Sequence, residues 1–172
     1  MPNIVICGTP GTGKSSLISK IEPSLSDHKF INLSKFAIEN KCISSFDKDL
    51  DTQIIDEEKL EELLEPILKK SRTHVLESIH ADLIGSTELI DWIFVCRTEN
   101  SRLYDRLVER KYSADKISNN IESEIFQTIL DESRESFGSE IVTELHNNTL
   151  EDLDKNARLV LDRIKNLKSK RK

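Results

Sequence analysis

No apolar run in this chain of 172 residues approaches the ~20 residues that a membrane-spanning helix requires, so no helical span is expected. Cysteine is scarce. Cys7, Cys42 and Cys96 show neither metal-ligand spacing nor a disulfide framework, and Cys7 and Cys96, lying in apolar runs, read as small core residues in a reducing compartment. Excess positive charge is also missing: the net charge of −6 argues against bulk, nonspecific nucleic-acid binding. The chain has no internal repeat, no low-complexity linker and no sign of a second domain, so residues 1–172 are expected to form one domain. No signal or transit peptide is legible ahead of the first apolar run, which sets cytosol or nucleus as the expected setting. The basic end, Lys165, Lys168, Lys170, Arg171 and Lys172, suits a helix C-terminus and a solvated tail. A nuclear-import signal or an RNA contact in a larger assembly are the alternatives.

What the chain does have is Gly8-Thr9-Pro10-Gly11-Thr12-Gly13-Lys14-Ser15. The stretch fits G-x-x-x-x-G-K-[ST], follows the buried-strand pattern Ile4-Val5-Ile6-Cys7 and leads into the helix start Ser16-Leu17-Ile18, which is the context a phosphate loop needs. Glycines let backbone N–H groups turn inward around phosphates without Cβ clashes, and a helix N-terminus adds unpaired donors and the positive end of a dipole. Gly11, Thr12, Gly13, Lys14, Ser15 and Ser16 are therefore the expected nucleotide-binding set, with Lys14 reaching the β/γ-phosphates and the Ser15 hydroxyl holding Mg²⁺. No N-K-x-D element follows a strand, so guanine lacks its usual selector and ATP is the default ligand.

Further strands are predicted over 30–33, 74–77, 92–96 and 140–145, the last at the sheet edge because it alternates polar and apolar residues. Helices are predicted from the phosphate loop to Ile21, where Pro23 stops the run, and over 56–70, 100–109, 117–137 and 150 to about 168. This alternation predicts an α/β, three-layer P-loop NTPase fold, with a five-stranded parallel sheet between helices. Two segments exceed a minimal sandwich, 34–56 and 110–118. On such a scaffold they read as a substrate arm and a lid, or as plain surface excursions.

Phosphoryl transfer needs positioned phosphates, a metal and positive charge where the transition state spreads negative charge. Glu77, at the end of its strand, stands where a carboxylate can hold Mg²⁺ through water. His80 follows closely and can orient an attacking water or relay a proton, or be a surface histidine; Asp82 shares its turn. Among Arg97, Arg102, Arg106 and Arg110, the last is the candidate to neutralise the transferring phosphate. Arg102 with Asp105, or Arg106 with Glu109, can instead be surface ion pairs of little worth.

Several stretches together carry a family likeness along almost the whole chain: the phosphate loop through Ser16, Phe30-Ile31-Asn32, Ile54-Ile55-Asp56-Glu57 and Val95-Cys96-Arg97-Thr98. They continue with Leu103-Tyr104-Asp105-Arg106-Leu107, Arg110-Lys111-Tyr112, Lys116-Ile117 and Asn120-Ile121-Glu122-Ser123-Glu124-Ile125. In these the chain resembles the small atypical adenylate kinases of eukaryotic nuclei, also known as coilin-interacting nuclear ATPases. The resemblance implies a nucleoside-monophosphate-kinase-like fold, adenylate kinase activity (ATP and AMP to ADP) with ATPase activity, and Mg²⁺ as the metal. It also implies a monomer, without membrane attachment, acting in nucleus and cytoplasm. Its role there would be small-ribosomal-subunit maturation and late rRNA processing, through a platform ribosomal protein and the pre-ribosomal particle. By the same resemblance 34–56 is the AMP-binding arm, 110–118 the lid, Arg110 the lid arginine on ATP, and Glu77 the metal-site carboxylate. Lys14, Arg110, Glu77 and His80 are then the catalytic set.

The chain departs from that pattern in places. Glu77-Ser78-Ile79 stands for the family's Asp-x-His, with His80 one residue late, so His80 either takes the histidine's place through a slipped turn or that function is lost. The Pro-Glu that usually follows is absent, Lys111 replaces the lid glycine, and Ile38 occupies a position often basic in the arm, with Lys35 or Lys41 as substitutes.

Overall fold

The computed structural model describes residues 2–48, 52–71 and 73–169. Its first half runs β1 (Ile4–Cys7), α1 (Lys14–Ile21), β2 (Lys29–Asn32), α2 (Leu33–Glu39), β3 (Ile43–Asp47), β4 (Thr52–Ile55) and α3 (Glu57–Lys70). The second half runs β5 (His74–Glu77), β6 (Trp92–Arg97), α4 (Asn100–Glu109), α5 (Ala114–Ile125), α6 (Thr128–Phe137), β7 (Val142–His146) and α7 (Leu150–Ser169). Every residue of β1 is buried, as a continuous apolar run requires of a strand covered on both faces. It sits at the centre of a five-stranded parallel sheet of order β2-β5-β1-β6-β7, so the strand entering the phosphate loop has a neighbour on each side.

The pleat divides the strand residues between two layers. Val5, Cys7, Leu76, Ile93 and Val95 pack against α2, α3 and α6 through Leu33, Leu60, Leu64, Leu68, Ile129 and Leu130. Ile4, Ile6, Val75, Phe94 and Cys96 pack on the other side against Leu17 and Ile21 of α1 and Ala157, Val160 and Ile164 of α7. A smaller cluster of Leu103, Leu107 and Ile117 joins α4 to α5, with Tyr112 and Ile121 packed on it. The three cysteine side chains are fully buried, and burial pushes the thiols of Cys7 and Cys96 up to about 12. At the sheet edge Trp92 Nε1 donates to Thr143 Oγ1 (2.9 Å), and the Arg163 guanidinium lies 3.9 Å from the indole centroid, holding α7 over the amino end of β6.

Three expectations shift. The strand over 30–33 ends at Asn32, whose Oδ1 accepts from Lys35 N (3.0 Å) and caps α2, so Leu33 enters the helix. Segment 34–56 holds most of α2 and an antiparallel hairpin, β3 with β4, whose tip at 49–51 lies outside the described residues. The helix expected over 117–137 is two helices. Ser113 caps α5 (Lys116 N to Oγ, 3.3 Å), and the chain breaks at Phe126–Gln127, where Gln127 adopts φ +57°. The break changes the phase of the buried stripe. Ile117 and Glu124 face inward on α5, whereas Ile129, Leu130, Ser133 and Phe137 do so on α6, and Ile125 and Phe126 are left exposed. The edge position of the last strand is as expected, though it begins at Val142 after a 3₁₀ turn over Ser139–Ile141. In the basic tail Lys168 pairs with Asp27 (2.8 Å), and Lys170, Arg171 and Lys172 lie outside the described residues.

Asn3 closes the amino end of the sheet: its Nδ2 donates to the carbonyls of Leu68 (3.3 Å) and Leu89 (3.0 Å), and its Oδ1 accepts from His74 N (3.2 Å). Burial, and then the nearby Lys29 charge, hold His74 below its ordinary value of 6.5. His28, buried beside Asp27, is lowered by burial too, and the Nε2 atoms of both histidines have no hydrogen-bond partner among the described residues. A histidine neutral in the folded state and protonated more readily when unfolded contributes stability that is full above pH 6.5 and is lost as the pH falls below it. The melting temperature is therefore expected to drop between about pH 7 and pH 5, and His74→Gln to flatten that slope. An unchanged slope in the variant would contradict the assignment.

Candidate active site

The loop from Gly8 to Gly13 turns at the carboxyl end of β1, where a doubly wound sheet opens its crevice. Turning amides toward a ligand leaves carbonyls facing protein, and each needs a donor. Lys14 Nζ donates to Gly8 O (2.7 Å) and Thr9 O (3.0 Å), and Thr12 Oγ1 donates to Thr9 O (2.8 Å). Arg106 Nη1 donates to Gly11 O (3.0 Å), and Asn147 Nδ2 to Thr12 O (3.1 Å). Gly8, Gly11 and Gly13 adopt φ of +140°, +91° and +90°. At Gly8 a Cβ would also lie 2.3 Å from the Cys96 carbonyl oxygen, so the loop can lie against β6 only through glycine. Burial lowers the Lys14 ammonium from its ordinary value, a cost that an arriving phosphate would relieve.

Beside the loop, Ser15 Oγ donates to Glu77 Oε1 (2.6 Å), and Asn32 Nδ2 donates to Glu77 Oε2 (2.7 Å). The phosphate loop, the end of β5 and the end of β2 thus converge on one carboxylate. These oxygen donors suit Mg²⁺, which keeps several waters and takes one or two protein oxygens alongside phosphates.

Three clefts run past this point. The first, of about 690 Å³, is lined by Gly11, Gly13, Ser16, Arg110, Asn148 and Leu150 among others. The second, of about 320 Å³, lies over the loop between Lys14, Ser15, Glu77, Arg110 and Tyr112. The third, of about 370 Å³, is enclosed by Ile18, Phe30, Asn32, Lys35, Phe36 and Glu77. Gly11, Gly13, Ser16 and Arg110 belong to both first and second; Asn32 and Glu77 belong to both second and third.

Lys14, Ser15, Glu77 and Arg110 are therefore brought together around the middle cleft. Arg110 is exposed at the end of α4; its backbone N–H donates to Arg106 O (3.2 Å), and its side chain has no hydrogen-bond or ion-pair partner among the described residues. His80 is set apart. Ser78 and Ile79 line the middle cleft, while His80 opens on a neighbouring one with Thr9, Thr52, Lys116 and Asn120, and its Nδ1 lies 2.9 Å from Glu132 Oε2. Arg106 is not a surface partner of Glu109: it reaches Gly11 O and Asn147 O (3.0 Å each). Arg102 pairs with Glu99 (3.4 Å). Lys35 lines the third cleft, whereas the carbonyl of Lys41 accepts from Lys59 Nζ and Ile38 is exposed. Lys111 adopts φ +58°, a left-handed conformation that costs an L-residue about 1–2 kcal/mol and that glycine adopts freely.

Sequence reasoning missed Asn32, Arg106 and Asn147. The available signal for Asn147 was Asn147-Asn148-Thr149, a cluster of turn and cap formers just before a helix. Thr149 and Asp152 do form a reciprocal cap there, with Thr149 N to Asp152 Oδ2 at 3.0 Å and Asp152 N to Thr149 Oγ1 at 3.1 Å.

Comparison with known proteins bears on this arrangement. Residues 4–127 match the model of the family described as AAA domain. The adenylate kinase isoenzyme 6 homolog HBR1 of Candida albicans is 42% identical over 172 residues, which cover 95% of this chain and 67% of that protein. The adenylate kinase isoenzyme 6 homolog of Schizosaccharomyces pombe is 38% identical over 168 residues, covering 98% of this chain and 94% of that one. Among solved structures, that of TT1252 from Thermus thermophilus aligns with a TM-score of 0.62 at 15% identity, over 94% of this chain and 97% of its own. That last likeness is one of fold.

The Gly8 geometry gives a direct expectation. Gly8→Ala has to displace β6 or the loop, so thermal or denaturant melts should show a loss on the order of 1–3 kcal/mol. A wild-type melting curve would mean that the loop has slack there.

Proposed function

The chain belongs to the family of adenylate kinase isoenzyme 6 homologues, and we propose that it transfers the γ-phosphate of ATP to AMP and, more slowly, to water. The observation that carries this reading is the succession of three joined clefts, with the phosphate loop under the middle one and a larger chamber on either side. A single-nucleotide switch needs one such chamber; transfer between two nucleotides needs both, with their phosphates meeting over Lys14.

In this reading the first cleft takes the adenosine of ATP and the loop takes its phosphates, through Gly11, Thr12, Gly13, Lys14, Ser15 and Ser16. The third cleft, under segment 34–56, takes AMP, with Lys35 as the cation facing it. Ser15, and Glu77 through water, would hold Mg²⁺, which would supply charge neutralisation on the phosphates. Asn32 keeps the Glu77 carboxylate turned toward Ser15. Segment 110–118 acts as the lid, and the Arg110 side chain, without a partner among the described residues, swings onto the transferring group. His80, oriented by Glu132, serves the slower transfer to water from the neighbouring cleft.

The same reading extends to the cell. The protein acts in nucleus and cytoplasm as an assembly factor for the small ribosomal subunit, binding a platform ribosomal protein on pre-ribosomal particles. Its net charge of −6 supports a basic partner, and ATP-driven lid closure would alter the affinity. Pull-downs should then recover that protein in amounts that change with ATP.

A coupled assay should detect ADP formed from ATP plus AMP, at a rate well above that with ATP alone. Lys14→Ala should lower kcat on the order of 10²–10³-fold, as loss of a donor to developing charge does. Arg110→Ala should lower kcat with little change in ATP affinity, because its contact strengthens in the transition state. Folded protein that binds ATP but forms no ADP with AMP would refute the kinase reading.

A further inference from the structure

Neither the phosphate loop nor the proposed lid explains why α5 carries a carboxylate that is 3% exposed. Glu124 Oε2 accepts from Thr9 Oγ1 (2.8 Å). Its Oε1 accepts from Arg97 Nε (2.5 Å) and from Thr98 N (3.3 Å), and its backbone carbonyl accepts from Arg97 Nη2 (2.9 Å). Arg97 is held in turn by Glu144 (3.1 Å) on the edge strand. One side chain of α5 is thereby fixed to the end of β6 and to the phosphate loop. At its other end the same helix follows directly from Arg110, Lys111 and Tyr112.

The chain of contacts continues inside the loop. Thr9 is held through its hydroxyl by Glu124, while its carbonyl accepts from Lys14 Nζ (3.0 Å), Thr12 Oγ1 (2.8 Å) and Thr12 N (3.3 Å). Two of the three N–H donors of the Lys14 ammonium are taken by the carbonyls of Gly8 and Thr9, so where the third points at a phosphate depends on where Thr9 is held. We infer that Glu124 is a positioning residue: through the Thr9 hydroxyl it couples the helix behind the lid to the resting place of the Lys14 ammonium. Movement of the 110–118 segment and engagement of Lys14 are then one event. A buried carboxylate bonded to both an arginine and a loop hydroxyl suits this purpose, because neither contact yields to water. The inference deepens the proposed kinase reading and rests on it for the direction of the lid's movement.

Glu124→Ala would take from Arg97 its closest carboxylate and from Thr98 N its acceptor, and is a poor test, since the variant can fail through misfolding alone. Thr9→Val replaces the hydroxyl by a methyl at nearly constant volume, and Thr9→Ser keeps the hydroxyl. Two measurements are made on wild type and both variants, each shown to be folded by its melting curve: kcat and KM for ATP, and amide exchange with and without ATP and Mg²⁺. In wild type, ATP is expected to protect both 8–16 and 114–125. In Thr9→Val protection of 8–16 should persist while that of 114–125 is lost, and kcat should fall by about tenfold with KM changed far less. Thr9→Ser should recover both. Thr9→Val with wild-type coupling of the two segments, or with its whole loss in KM, overturns the inference. Wild-type protein that shows the coupled protection but makes no ADP would sink the kinase reading and leave the coupling standing.

Discussion

The outward carbonyls of the phosphate loop are the constraint from which the rest of the site follows. A backbone that turns its amides inward has to turn its carbonyl oxygens against protein, where an unpaired acceptor costs about 1–3 kcal/mol. This chain meets that demand with side chains from distant elements: Lys14 and Thr12 from within the loop, Arg106 from α4 and Asn147 from the turn after β7. The loop is thus a strap tied from several sides, and the elements that tie it are those that border the clefts. Arg106 and Asn147 line the first cleft, and their backbone bonds fix its shape.

Parallel topology makes this possible. With β1 between β5 and β6, the carboxyl ends of all three strands open on the same edge of the sheet. Glu77 from β5 and Cys96 near the end of β6 then flank the loop without any long excursion. The Glu77 carboxylate is shared between Ser15 and Asn32, one oxygen accepting from each. Ile79 rather than His80 lies beside the middle cleft, and Ile79 O also accepts from Gly8 N (3.0 Å).

How much of this was legible beforehand depended on the range of the interaction. The central strands could be read because burial on both faces leaves a continuous apolar run, and the phosphate loop because its chemistry is local and backbone-based. The β3–β4 hairpin could not: Ser44, Ser45 and Phe46 are exposed, Ile43 packs only partly, and no Asn-Gly or Asp-Gly marks its turn. The break between α5 and α6 carries no glycine or proline; Gln127 takes a left-handed conformation so that Leu130 and Phe137 can reach the sheet, a tertiary demand with no local signature. Likewise Asn147 meets Thr12 across 135 positions, and Glu124 meets Thr9 across 115. A hydrogen bond to a main-chain oxygen places no requirement on the sequence around its donor. The strand expected over 140–145 is present as Val142–His146, its first two expected residues lying in the 3₁₀ turn.

The setting of the single tryptophan has an optical consequence. Trp92 begins β6, stacked under Arg163 and bonded to Thr143, whereas the clefts open at the opposite ends of the strands. Intrinsic indole emission therefore reports how the last helix sits on the sheet and is remote from nucleotide. A silent tryptophan signal on adding ATP says nothing about occupancy. A useful fluorophore belongs instead near Tyr112, which borders the middle cleft.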